Sequence, residues 1–299
     1  MATLDDQIAT YLAAIEVEGK TPNTQASYAN SLADFRKAGR QLGLPEAAEE
    51  YRVGHVYAFL GELRRRGYSA SYQHRRHREV KACFSWLKRM GMVEENVFAK
   101  VPLVKRPLLI KPPFSPADVQ TLLDSQDQET YAGVRNVALI LFLLDSGVRA
   151  SECVALRLSE VDWERRRAFI RHGKGEKQRW VGFGERTRGA LANYVRQFRG
   201  DGDGALFLTS DLQPMVSGHT LAVILARLGR RAGVAGVHPH RFRHTFATWA
   251  IESGAREIDV QMLLGHSDLT MTQRYARTYT SEQAVRAHAE LSPVNRLAG

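Results

Sequence analysis

Cysteine is nearly absent from this 299-residue chain, which has only Cys83 and Cys153. Two thiols do not make a disulfide framework. Both sit among apolar residues in helical patterns, where a small buried thiol is expected rather than a bridge or a nucleophile. Long hydrophobic runs are absent as well. The longest strongly apolar stretch, residues 137–144, falls well short of the roughly 20 residues that span a bilayer and reads as a buried helix; a basic surface alone would also suit an anionic membrane, but with nucleic acid the leading partner no membrane partner is expected. The chain opens Met1-Ala2-Thr3-Leu4-Asp5-Asp6, without the basic flank and apolar stretch of a secretory signal, and cytoplasmic residence is the expectation. Acidic residues are in deficit, with 32 Asp plus Glu against 42 Lys plus Arg and a formal charge of +10. That excess suits a polyanionic partner, nucleic acid first, better than an acidic small molecule.

The length favours two moderate domains. Before about residue 100 every periodic segment predicts helix: 4–17, 22–42, 56–66 and 70–90. Thr21 and Pro22 supply an N-cap and a first-turn proline, while Gly67 and Gly91 stand where helices stop. A small helical bundle over residues 1–101 follows. Residues 101–115 then hold Pro102, Pro107, Pro112 and Pro113 with Lys105, Arg106 and Lys111 between them. This composition cannot continue a helix and predicts an extended linker over 102–114. Ser115, Pro116 and Asp118 form the cap and first turn of a new helix, opening a second domain over 115–299. Residues 166–171 and 178–183 resemble short strands joined by the glycine-rich turn 172–177, with helices resuming at Glu185. The second domain is therefore mixed: mainly helical, with a small antiparallel sheet.

Positive charge in the first domain concentrates on two consecutive helices, at Arg64, Arg65, Arg66, His74, Arg75, Arg76, His77, Arg78 and Lys81, with Tyr68, Tyr72, Phe84 and Trp86 interleaved. One arginine of this kind is usually a solvated surface charge. Together with Lys105 and Arg106 of the linker, Arg64, Arg65, Arg75, Arg76, Arg78 and Lys81 are the candidate DNA contacts.

Five separated segments of the second domain carry residue types suited to phosphoryl transfer. They are Gly147-Val148-Arg149-Ala150-Ser151-Glu152, Gly173-Lys174-Gly175, His240-Arg241-Phe242-Arg243-His244, Gly265-His266-Ser267-Asp268 and Gln273-Arg274-Tyr275. Two arginines, Arg149 and Arg243, can grip the non-bridging oxygens of a phosphodiester by bidentate bonds and stabilise its pentacoordinate transition state. A tyrosine hydroxyl of pKa about 10 needs roughly 4 kcal/mol to ionise at pH 7, so a nucleophilic tyrosine needs a base or a cationic clamp. His240 and His266 are candidates for that help, and His240 shares a helix face with Arg243 three residues on.

Each residue also has a plain structural reading: Arg149 paired with Glu152 on a helix, Lys174 on an exposed turn, Tyr275 on an amphipathic helix. His240 and His244 have the i, i+4 spacing of metal ligands, but the zincin pattern needs a glutamate after the first histidine and Arg241 stands there. No metal and no other cofactor is expected.

The ordered set Arg149, Lys174, His240-x-x-Arg243, His266 and Tyr275 resembles the signature of the tyrosine recombinase or phage integrase family. The likeness extends to His240-Arg241-Phe242-Arg243-His244-Thr245-Phe246-Ala247-Thr248 and to Val260-Gln261-Met262-Leu263-Leu264-Gly265-His266-Ser267-Asp268, which are similar to Xer-type recombinases, and residues 59–87 resemble their first domain. Trp249 stands where Xer-type chains commonly carry a smaller or polar residue.

The resemblance implies a helical, SAM-like core-binding domain and a catalytic domain forming a C-shaped clamp on duplex DNA. It implies that Arg149, Arg243 and His266 bind and polarise the scissile phosphate, that His240 assists proton removal and that Lys174 protonates the departing 5′ oxygen. Tyr275 becomes the 3′-phosphotyrosyl link, and Glu152 orients active-site groups. The expected partners are short inverted-repeat DNA sites and three further copies of the chain, a tetramer on two sites passing through a Holliday junction, with room for accessory proteins. Integration, excision and dimer resolution all fit. A tyrosine-type topoisomerase and a DNA-binding regulator that has lost catalysis are the competing readings; the first would relax supercoils without choosing a sequence, and the second would form no covalent adduct.

Overall fold

The computed structural model describes residues 3–105, 112–171 and 178–265. The chain divides into two compact units, Met1–Ile110 and Lys111–Gly299.

The first unit is built from four helices, α1 (Leu4–Val17), α2 (Pro22–Leu42), α3 (Val53–Arg65) and α4 (Ala70–Arg89). Their starts are local chemistry. Thr3 and Asp6 form a reciprocal capping box on α1, Thr21 caps α2 ahead of Pro22, and Ser69 caps α4. Their stops are glycines in the left-handed region, Gly43, Gly67 and Gly91. Leu4, Ile8, Tyr11 and Ile15 recur at helical spacing and form the buried stripe of α1. At the centre lies the fully buried Phe35, its ring meeting Phe59, Phe84 and Phe98 edge-on at 5.0, 6.2 and 5.5 Å. Each such ring contributes roughly 1.5–3 kcal/mol by burial, with edge-to-face pairing added.

The second unit contains α5 (Pro116–Asp124), α6 (Tyr131–Ser146), α7 (Ala150–Ala155), strands β1 (Val161–Asp162), β2 (Arg167–Ile170) and β3 (Arg179–Gly182), then α8 (Glu185–Tyr194), α9 (Gly218–Ala232), α10 (Pro239–Glu252) and α11 (Glu257–Leu264). Helix α6 is apolar almost all round, and Leu139, Ile140, Phe142 and Leu143 are wholly buried. It forms the middle of the core, with α8 and α10 packed on it. The sheet is antiparallel in the order β1-β2-β3, with Ala168 opposite Val181 and Phe169 opposite Trp180. Alternation turns Ala168, Ile170 and Val181 into the core, while Arg167 lies outside over the Trp180 ring at 4.0 Å. Trp249 packs half-buried against the same core.

The proline-bearing segment is anchored at both described ends. Val101 belongs to the core of the first unit, and the Val104 carbonyl contacts His74 Nδ1 at 2.8 Å. On the other side, Phe114 donates its backbone N–H to Thr245 Oγ1 (2.9 Å) and carries the Arg241 guanidinium over its ring, tying the entry of the second unit to α10. Strand β1 and helix α11 are elements that periodicity did not reveal. Among the described residues no helix is long and apolar enough to cross a membrane.

Candidate active site

Helix α6 ends at Gly147, whose φ of +60° turns the chain sharply; Arg149 follows as the N-cap of α7. Only a glycine fits at 147. A Cβ there would lie 2.5 Å from the Phe246 ring and 2.8 Å from Leu264. The closeness of α6, α10 and α11 at this point is thus permitted by one missing methyl group.

Three arginines from three elements converge on three successive backbone carbonyls at the end of α11. Arg179 of β3 donates to Leu263 O at 2.7 Å, Arg243 of α10 to Leu264 O at 2.7 Å, and Arg149 to Gly265 O at 3.0 Å. The last carbonyls of a helix have no intrahelical donors and carry the negative end of its dipole, so guanidinium groups are favourable there. Arg243 also donates to Gly147 O at 2.8 Å and is nearly enclosed. A quarter of the Arg149 side chain remains exposed.

Glu152 organises this cluster from below. Its carboxylate, fully buried, accepts the Arg149 side chain at 2.8 Å and the Arg149 backbone N–H at 2.8 Å. Arg179 grips the same two oxygens at 3.0 and 2.8 Å. Burial pushes the Glu152 carboxyl up, but the hydrogen bonds from Arg179 and from the Arg149 backbone outweigh it and hold the group down at about 2. The group is therefore an anion that orients arginines, not a proton donor at neutral pH.

His240 is exposed on α10, one turn before Arg243. His244 is buried, its Nδ1 3.1 Å from Thr248 Oγ1. Lys174, His266 and Tyr275 lie outside the described residues, although Gly265, where the arginines meet, immediately precedes His266 in the chain. Arg106 lies outside them too.

The basic residues of the first unit divide. Arg64, Arg75 and Lys105 are exposed, Arg65 is exposed while chelating Glu62, Arg78 is exposed beside Glu79, and Lys81 is half-buried. Arg76 departs from the expected solvent-facing set. It is 11% exposed and turned inward onto Asp34 (2.7 Å), Ser31 (2.7 Å) and the Tyr72 hydroxyl (3.0 Å).

By sequence Arg179, like Lys177, is only a second candidate for the general acid after Lys174; its bonds to Glu152 and Leu263 O give it a different place in the site. A signal was present: on β3 it shares a face with Val181, and a cation on the core face of a strand requires a buried partner.

The model of the phage integrase family matches residues 114–282, more than half of the chain. The chain belongs to the phage integrase family. Curated relatives of this integrase include tyrosine recombinase XerC of Bacillus subtilis, 30% identical over 88% of either chain, and XerC of Oceanobacillus iheyensis, 31% identical over 92% of either chain. Among solved structures, the fold of the integrase resembles the Tn1549 transposon integrase in complex with circular intermediate DNA. The TM-score is 0.81 at 19% identity, over 98% of this chain and 100% of that one. It also resembles a lambda integrase dimer bound to a COC′ core site, with a TM-score of 0.75 at 16% identity over 92% and 95% of the two chains. The integrase is a tyrosine recombinase, an enzyme of site-specific DNA recombination.

Proposed function

We propose that this recombinase binds double-stranded DNA at short inverted repeats and exchanges strands through a phosphotyrosyl intermediate carried by Tyr275. The observation that carries the reading is the meeting of Arg149 and Arg243 at adjacent carbonyls directly before His266. Two guanidinium groups fixed side by side suit the two non-bridging oxygens of one phosphodiester and the charge that builds on them during attack.

In the proposed step the Tyr275 oxygen bonds to phosphorus as the bond to the 5′ oxygen breaks, leaving a 3′-phosphotyrosine. His240 assists removal of the tyrosine proton, His266 joins the arginines on the phosphate, and Lys174 gives a proton to the departing 5′ oxygen. Attack by a 5′ hydroxyl from a partner strand reverses these events. Phosphodiester energy is retained in the protein ester, so the exchange has no need of ATP. The first domain (1–101) and the linker (102–114) would hold the duplex through Arg64, Arg65, Arg75, Arg78, Lys81, Lys105 and Arg106, while 115–299 performs catalysis. Exchange between two sites calls for four protomers and a Holliday junction, in the cytoplasm.

A pool of nicked duplexes with randomised inverted repeats provides the test. A short fragment lost from the nick traps the covalent complex, which denaturing electrophoresis separates and sequencing identifies. Wild type should yield an adduct on a defined duplex, and Tyr275→Phe should bind that duplex without forming one. Absence of any wild-type adduct, or an adduct surviving in Tyr275→Phe, would overturn the reading.

A further inference from the structure

The geometry points to Arg179 as a positioning residue for strand cleavage, one that holds Arg149 and the end of α11 in the arrangement that receives the scissile phosphate. This inference rests on the reading of the site given above. The single Glu152 carboxylate accepts four hydrogen bonds, two from Arg149 and two from Arg179, so the orientation of the one guanidinium is set through the other. Arg179 Nε donates to Leu263 O at 2.7 Å, two carbonyls before the one that Arg149 takes. Gly265, with φ of +62°, lies flat on the Arg179 side chain: a Cβ there would meet its Nη1 at 3.0 Å and its Cζ at 3.2 Å.

The arrangement also excludes a role for Arg179 as general acid. Its Nε, Nη1 and Nη2 all donate to fixed internal acceptors, and a guanidinium does not release its proton in the working pH range. With both Nη groups on Glu152 and Nε on Leu263 O, its influence on the reacting phosphate runs through Glu152 and Arg149. Only Val260 and Leu264 of α11 are buried, and such a helix depends on its end contacts for placement. Displacement of a reacting group by about 1 Å can cost about 10²-fold in rate.

The test uses the duplex recovered by covalent capture in two forms: native, and with a methyl group replacing one non-bridging oxygen of the scissile phosphate. The methylphosphonate carries one negative charge fewer and needs less help from a guanidinium. Two variants are measured, Arg179→Lys, which keeps the charge but cannot span both carboxylate oxygens and the carbonyl, and Arg179→Met combined with Glu152→Gln. The double variant removes both members of the buried Arg179–Glu152 pair, so neither is left as an unpaired buried ion, while Arg149, a quarter exposed, keeps the introduced glutamine's amide oxygen as an acceptor. Cleavage of native DNA by each should fall about 10²-fold, while the methylphosphonate should recover most of that loss, as it should for Arg149→Ala. Wild-type cleavage by either variant overturns the inference, and so does an equal loss on both substrates, which is what misfolding would give. If Arg149→Ala itself cleaves native DNA at the wild-type rate, the reading of the site fails instead, independently of Arg179.

Discussion

Arg149 and Arg243, 94 residues apart in the chain, donate to neighbouring carbonyls, Gly265 O at 3.0 Å and Leu264 O at 2.7 Å. One helix end thus sets the spacing of two guanidinium groups. Whatever moves the end of α11 moves both.

Gly147→Ala tests this dependence. The left-handed backbone costs an alanine about 1–2 kcal/mol, and the clash with Phe246 and Leu264 adds about 1–3 kcal/mol of overpacking. Gly233→Ala at the end of α9 has φ of +70° but open space around it, and should show the backbone part alone. Urea unfolding should therefore rank Gly147→Ala well below Gly233→Ala in stability, and covalent adduct formation should be lost only in the former. Equal destabilisation would mean that the Phe246 and Leu264 contacts yield freely.

Neighbouring arginines of α4 should behave in opposite ways. Arg75 faces solvent, so Arg75→Ala should leave stability unchanged and lower the slope of log affinity against log salt by about 0.9, the share of one phosphate contact. Arg76→Ala removes the partner of Asp34, Ser31 and Tyr72 and should lower the melting temperature of the first unit. A salt slope unchanged by Arg75→Ala would remove that residue from the DNA-binding face.

His77 gives the first unit a pH dependence of definite sign. Burial lowers the affinity of its imidazole for a proton, against a smaller opposing effect of the Phe98 carbonyl. The unfolded chain, titrating near about 6.5, therefore binds the proton more tightly than the folded one. Stability contributed by the neutral ring is complete above that pH and is lost as the pH falls below it. Hydrogen-exchange protection in α4 should drop between about pH 7 and 5, and His77→Phe should flatten that part of the profile. Unchanged protection in wild type across the interval would refute this.

Lys174 is proposed as the general acid because it stands between two glycines and matches the family's motif. General acid catalysis is typically worth 10²–10⁴-fold, so Lys174→Ala should cleave ordinary DNA slowly by about that factor. With sulfur in place of the bridging 5′ oxygen the leaving thiolate needs no proton, and the variant should recover much of its rate while Arg149→Ala should not. Equal failure on both substrates would make Lys174 a phosphate contact.

What the sequence determined by itself was local or ordered along the chain. Caps at Thr21 and Ser115 act within one turn, so the starts of α2 and α5 were legible from a few polar residues, while α1 and α4 were legible from apolar spacing, their caps Thr3 and Ser69 appearing only in the structure. Strands β2 and β3 were legible for the same reason, as short alternating runs on either side of a glycine-rich turn. The identities of Lys174, His266 and Tyr275 rest on motif order alone. Tertiary structure decided the rest. No periodicity announces that Arg179 meets Glu152 across 27 positions or that Arg149 reaches Gly265 across 116, because a helix or strand pattern shows which face is buried but not what it faces. Arg75 and Arg76 look alike in sequence, and only the packing of α2 against α4 turns one to solvent and the other onto Asp34. Helix α11 gives no periodic signal because only two of its residues are buried; three guanidinium groups at its end hold it, one from the preceding helix α10 and two, Arg179 and Arg149, from elements far away in the chain.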